Sequence, residues 1–330
     1  MKIPALIISI VLPFLGLFSC KKDITNTQQS STGTVTGTTN ASTLRYQDSV
    51  FSSTNVISNI NFGSAKTLAG NPENLLLDLY VPNNDTARHR PLVILVFGGG
   101  FTMGDKTTLS NLGKRFASYG YAAACTSYRL YDGPNPMTNT NLKKQILLDI
   151  QDIKATVRFF KKDASQFGTY GIDTNKIFLL GHSAGSMIVL HEAYMNSLNK
   201  IKQIDSAFLP IVQGNGGLEG NSGNPGYSSK VKGVINLSGA LLFKNYVQTG
   251  DIPGLHIYGT EDNILPAGDG TLVFPGINPI SLSGSLSINN QSGAVGVKST
   301  LYGIPKGDHF SPLTNNTAFT DMIGFLYQNI

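Results

Sequence analysis

Short apolar runs alternate with longer amphipathic stretches from Leu75 to the end of the chain. Residues 75–80 read as a strand closed by Pro82, and 92–97 form a continuous apolar run of the kind that is buried on both faces. Residues 107–119 predict a helix ended by Gly120, and 121–126 the next strand. Ile146, Ile150, Ile153, Val157 and Phe160 recur at helical spacing within 142–162, a long helix. The turn Asp173-Thr174-Asn175 feeds a strand over 177–180, and a helix-like segment follows from Ala184 to about Leu198. Further strands are predicted at 234–237, 255–259 and 299–302, with a final helix over about 318–328. Strands alternating with helices predict an α/β domain whose mainly parallel sheet is covered on both faces. Residues 213–229 and 266–293 break the rhythm: both are rich in Gly, Asn and Ser, with apolar islands such as Leu272-Val273-Phe274. Both read as loops following strands, where ligands of open α/β sheets bind. Substrate-shaping loops and passive surface insertions both fit that composition.

The N-terminus follows different rules. Lys2 precedes an apolar run from Ile3 to Phe18, broken by Pro4 and Pro13, and Ser19 precedes Cys20. The run is short and Pro-broken for a membrane span. It resembles a bacterial lipoprotein signal at 1–19, with Cys20 as the lipidated residue; an ordinary secretory signal with an incidental Cys20 is the alternative. The expected product is exported and lipid-anchored to a bacterial membrane, at the outer membrane or cell surface, rather than spanning it. Residues 20–43 are Thr-, Ser- and Asn-rich with few apolar positions, a composition expected to tether rather than fold. Residues 44–330 are then enough for one large α/β catalytic domain. With Cys20 carrying lipid, Cys125 is the other of the two cysteines, which excludes an intrachain disulfide and a Cys-rich metal site. Cys125 lies in an apolar run and reads as a buried thiol. The net charge of +5 comes from scattered Lys and Arg, so no nucleic-acid surface is indicated.

The chemistry centres on Gly181-His182-Ser183-Ala184-Gly185, a G-x-S-x-G sequence between a predicted strand and a predicted helix. That context is what a nucleophile elbow requires; the motif alone arises by chance in roughly one such chain in three. A serine hydroxyl needs a histidine base, and an acid to orient it. Of the five histidines, His182 occupies a variable elbow position expected to point away from the nucleophile, His191 is on the following helix, His256 is inside a strand and His89 precedes a strand. His309, in Gly307-Asp308-His309-Phe310 after the last strand, is the natural base, against a structural loop histidine. The acid falls between them in chain order: Asp262, just beyond the 255–259 strand, with Glu261 as runner-up and an aspartate capping its own turn as the bland reading. Phe97-Gly98-Gly99-Gly100-Phe101 follows a strand end and lets backbone N–H groups approach a ligand. Gly99 and Gly100, joined by Ala184, are assigned as oxyanion donors. No P-loop or G-x-G-x-x-G spacing follows the glycines, and Asp105 reads as a helix cap.

Together these motifs resemble the α/β-hydrolase carboxylesterase and lipase families over residues 70–330, with support from Leu77-Asp78-Leu79-Tyr80-Val81-Pro82, Tyr128-Arg129-Leu130 and the Gly171–Ile177 approach to the elbow. The resemblance implies an α/β-hydrolase fold, a mainly parallel twisted sheet of about eight strands with helices on both faces. It implies a serine esterase with Ser183, Asp262 and His309 as its triad, needing no metal or organic cofactor. This chain departs at Phe97 and Tyr258, where the family often has His, and at Ser186, where it often has Gly; the first two imply a less polar wall near the oxyanion loop. With export, the expected substrates are extracellular acylated molecules such as acetyl or feruloyl polysaccharide esters. A peptidase of the same fold and a non-catalytic binding protein are the rivals. Specificity is expected in the loops 131–141, 213–229 and 266–293.

Overall fold

The computed structural model describes residues 44–330; the leader, Cys20 and the tether expected at 1–43 lie outside the described residues. The chain opens with β1 (Thr54–Lys66), β2 (Pro72–Pro82) and β3 (Arg90–Val96). Helix α1 (Ser110–Ser118) leads to β4 (Ala122–Thr126), and α2 (Asn139–Gln166) to β5 (Ile172–His182). Three helices follow, α3 (Ala184–Tyr194), α4 (Leu198–Ile204) and α5 (Leu209–Gly214), then β6 (Gly233–Leu237), β7 (Ala240–Leu241) and β8 (Gly254–Gly259). Next come β9 (Asp269–Phe274), β10 (Ile277–Gly284), α6 (Ser285–Ala294) and β11 (Ser299–Ile304), and the chain closes with α7 (Ser311–Thr314) and α8 (Asn316–Asn329).

Eight strands form one sheet in the order β1-β2-β4-β3-β5-β6-β8-β11. From β4 to β11 every neighbouring pair is parallel, and β1 and β2 add an antiparallel edge. All seven residues of β3 are buried, as the unbroken apolar run anticipates. Cys125 is fully buried in β4, and burial pushes its thiol pKa well above its ordinary value. Helix α2 begins at Thr138, whose hydroxyl accepts from Asn141 N–H, and packs on α3. All eleven residues of α3 are buried, so this helix lies within the core and lacks a polar face. Helices α1 and α8 meet through Phe116 and Phe319, ring centroids 5.3 Å apart.

Chain order reverses around β3: the connection through α1 runs to β4 on one side, and the next through α2 returns to β5 on the other. The carboxyl ends of β3 and β5 therefore flank the topological switch point, where open α/β sheets form their crevice.

Three sequence expectations need correction. Residues 266–293 are not a loop: they form β9, β10 and α6, and β7, β10 and β9 make a second, three-stranded sheet. Residues 213–229 continue from the end of α5 rather than from a strand, and lie along α2, where Arg158 and Lys154 bind Glu219 and Gln151 donates to the carbonyls of Asn215 and Gly217. The helix expected from Ala184 to Leu198 ends at Tyr194, and α4 starts a new axis capped by Ser197.

Candidate active site

Ser183 is the single residue between β5 and α3. Its backbone sits at φ 55°, ψ −121°, a conformation that costs a non-glycine residue about 1–3 kcal/mol. The surroundings hold it there: Ser183 N–H donates to Leu237 O at 3.0 Å, and Ser183 O accepts from Met187 N–H at 3.0 Å. Ser186 braces the same turn, its hydroxyl donating to Gly181 O and accepting from Leu237 N–H, with Leu237 O 3.0 Å away. The flanking glycines are required by close approach. A Cβ at Gly185 would lie 2.1 Å from Val96 O, and one at Gly181 2.3 Å from Gly185 O.

Asp262 and His309 come from adjacent loops because β8 and β11 are parallel neighbours. His309 Nδ1 and Asp262 Oδ2 are 2.8 Å apart, with both side chains buried. Asp262 Oδ1 accepts from Ile264 N–H at 2.9 Å and Leu265 N–H at 3.0 Å. Burial pushes the Asp262 carboxyl up, but the bond to His309 and the two backbone donors outweigh it, holding the group below its ordinary value. Glu261, the runner-up, is exposed. Among the described residues, Ser183 and His309 are not hydrogen-bonded to each other but line one cavity.

Gly99 and Gly100 sit at φ 125° and 59°, values that favour glycine, and a Cβ at Gly99 would lie 2.0 Å from Met103 O. Neither they nor Ala184 donate a backbone N–H to another backbone group among the described residues outside regular strands and helices. All three line the cavity with Ser183. Asp105 caps the short helical turn that follows, accepting from Thr107 N–H at 2.6 Å. Phe97 does not wall the cavity as expected. It is buried behind the glycine loop, stacked on Tyr128 at 4.4 Å, and accepts the Tyr128 hydroxyl through its carbonyl at 3.1 Å.

His182 corrects a second expectation. Its ring turns into the site: Nε2 lies 3.1 Å from His309 O, and the two rings are 5.1 Å apart. Burial lowers its pKa to about 4, so it is neutral at pH 7, and a carbonyl partner requires the Nε2–H tautomer. At the last position of β5, strand alternation no longer sets the direction of its side chain. His191 and His256 are buried away from the cavity, and His89 is exposed. His191 is satisfied structurally, Nδ1 bonding Met187 O at 2.7 Å and Nε2 accepting from Leu242 N–H at 3.1 Å. Among the described residues, no group of three or more His, Cys, Asp or Glu side chains could hold a metal ion.

The cavity, about 430 Å³, opens at the switch point. A hydroxyl on a strained turn, a histidine paired with a carboxylate and unpaired N–H donors thus converge on one chamber, a set suited to acyl transfer.

Comparison with known proteins places this architecture. The BD-FAE family model matches residues 77–244, half of the chain, taking in the glycine loop and Ser183 but not Asp262 or His309. A probable isoprenylcysteine alpha-carbonyl methylesterase ICME of Oryza sativa subsp. japonica is 34% identical over 34% of this chain and 24% of its own length. Isoprenylcysteine alpha-carbonyl methylesterase ICME of Arabidopsis thaliana is 33% identical over 34% of this chain and 23% of its length. The chain therefore spans about a quarter of the curated relatives it matches. Among solved structures, a truncated carbohydrate esterase from gut microbiota has TM-score 0.59 at 18% identity, covering 86% of this chain and 98% of that one. Thermogutta terrifontis esterase 2 phosphorylated by paraoxon has TM-score 0.57 at 17% identity, covering 86% and 95%. These structures share the fold, and the resemblance to α/β-hydrolase esterases read from the sequence is borne out. The chain belongs to the BD-FAE family and has the α/β-hydrolase fold.

Proposed function

We propose that this protein is a serine carboxylic ester hydrolase working through an acyl-enzyme. The observation that carries the reading is the convergence of Ser183, the His309–Asp262 pair and the Gly99, Gly100 and Ala184 N–H groups at one cavity. Ser183 Oγ attacks the ester carbonyl as His309 takes its proton. Asp262, ionised at neutral pH, holds the imidazolium through Nδ1–H. The tetrahedral oxyanion accepts from the three N–H groups. His309 then gives the proton to the departing alkoxide, and water, deprotonated by the same imidazole, attacks the acyl group and restores Ser183.

Supporting the ester reading, the curated relatives are named methylesterases. On the reading of Cys20 as a lipidated residue, the enzyme is anchored at the cell exterior, and its substrates are extracellular acylated polysaccharides. The reading is tested by offering the purified protein p-nitrophenyl butyrate beside a matched p-nitroanilide. Ester turnover without amide turnover is expected; anilide cleavage at comparable rates would favour the peptidase, and turnover of neither, with Ser183 unlabelled by a fluorophosphonate, the non-catalytic binding protein.

His182 is a positioning residue in this scheme, fixing the backbone of the base through His309 O. His182→Ala is expected to lower kcat about tenfold with KM little changed, because a displaced base costs rate rather than affinity. His182→Gln, whose amide N–H can reach the same carbonyl, should recover part of the loss. Steady-state kinetics on both variants checks this, and unchanged kcat in His182→Ala would remove the role.

A further inference from the structure

The chamber over Ser183 has walls that the reaction itself does not require. Its volume of about 430 Å³ is that of a site enclosing a small molecule. Among the described residues, no Asp, Glu, Lys or Arg lines it, and Thr108 is the one polar side chain beyond Ser183 and the two histidines. The apolar wall comes from Leu272, Phe274 and Ile277 of the β9–β10 hairpin, facing Ile264 and Leu313. Met103 and Phe310 continue the same chemistry to the mouth, where both are exposed.

The hairpin is held in place. Met137 N–H donates to Gly276 O at 2.7 Å, Asn278 N–H donates to Met137 O at 2.9 Å, and β10 pairs with β7 at its far end. Phe274 stands over the oxyanion loop: a Cβ placed on Gly100 would lie 3.3 Å from its ring. The alcohol leaves past His309, which protonates it, and the acyl group is assigned to the side of the chamber where Phe274 stands beside Gly100.

Resting on the esterase reading, we infer that this chamber is the acyl pocket, that it selects a bulky apolar acyl group over acetyl, and that Phe274 is its specificity-determining residue. An acetyl group would leave most of the chamber unfilled, whereas each further methylene moves apolar surface from water onto these walls. A sugar ring in the same place would leave its hydroxyls desolvated without partners.

The test is kcat/KM of the purified full-length protein on p-nitrophenyl acetate, butyrate, hexanoate and octanoate, beside Phe274→Ala and the milder Leu272→Val. Hexanoate is expected to exceed acetate about tenfold or more. Both substitutions lower that ratio, Phe274→Ala about fivefold or more, since the contacts they remove are made by the longer chain. The ratio is taken within each variant, so a partly folded preparation does not distort it. A wild-type ratio near one, or a ratio that neither variant moves, overturns the inference. Ser183-dependent acetate hydrolysis with a flat chain-length profile defeats this inference alone. Absence of all ester hydrolysis, with no fluorophosphonate adduct on Ser183, defeats the esterase reading with it.

Discussion

Replacing Ser183 by alanine is expected to lower kcat on p-nitrophenyl butyrate by about 10⁴-fold or more, with KM little changed. In the proposed mechanism the Ser183 hydroxyl, held on the strained turn, forms the acyl-enzyme, while the cavity keeps its other walls in the variant. Alanine inherits the φ 55° backbone, so the strain of the turn stays, and stability should change by less than about 1 kcal/mol. Circular dichroism and urea unfolding establish the folded state, and initial rates give the loss. A variant retaining a tenth of wild-type kcat would mean that the elbow is not the nucleophile.

Glu192→Gln should stabilise the protein by about 3 kcal/mol at pH 8 and by almost nothing at pH 4. Glu192 is buried on α3, and burial raises its carboxyl from 4.5 to about 7 against the partial relief of Lys154. That lysine is 3.9 Å away and gives its close contacts to Glu219 and Ser229 instead, leaving Glu192 Oε2 without a partner. Below pH 4.5 the group is protonated folded and unfolded alike. Between 4.5 and about 7 only the unfolded chain ionises, so stability falls as pH rises through that window. Above it both states are ionised and the full penalty remains. Glutamine keeps the shape without the charge. Asp149, likewise raised by burial, and the lowered His191 and His256 bend the wild-type curve as well, so the decisive quantity is the variant-minus-wild-type difference in unfolding free energy. Equal differences at pH 4 and pH 8 would contradict the assignment.

Strands buried on both faces were legible in the sequence because they need no alternation: the continuous apolar runs at β3 and β5 survive any uncertainty of register. β1 was not legible. Its thirteen residues are mostly exposed, rich in Asn and Ser, and interrupted by register shifts, so hydrogen bonding to β2 rather than burial makes it a strand. The β9–β10 hairpin hid for a related reason: its apolar residues are scattered among Gly, Ser, Asn and Pro, so Leu272, Ile277 and Leu282, which join the core, and Phe274, which lines the cavity, form no continuous run. Loop 213–229 has the same composition yet lies along α2, because Glu219 is drawn to Lys154 and Arg158. Composition alone cannot separate a cavity wall from a surface covering.

At the site, Ser183, Asp262 and His309 were accessible because each follows a strand end, and parallel neighbours bring strand ends together. Of the two carboxylates the sequence offers as the acid, Asp262 bonds His309 and Glu261 faces solvent. His182 was not accessible, since its direction depends on the tight passage of Gly98 over the elbow, where a Cβ would lie 2.9 Å from both His182 O and Ser183 Cβ. The expectations at 1–43, Cys20 among them, lie outside the described residues.

The most direct test of the central claim, that Ser183 is a nucleophile activated by the His309–Asp262 pair, is the rate at which a fluorophosphonate modifies the protein, with the adduct located by peptide mass spectrometry. The expected result is one adduct, on Ser183, formed rapidly in the wild type and about 10³-fold more slowly in His309→Ala. An adduct on another residue, or equal rates in the two proteins, would contradict it.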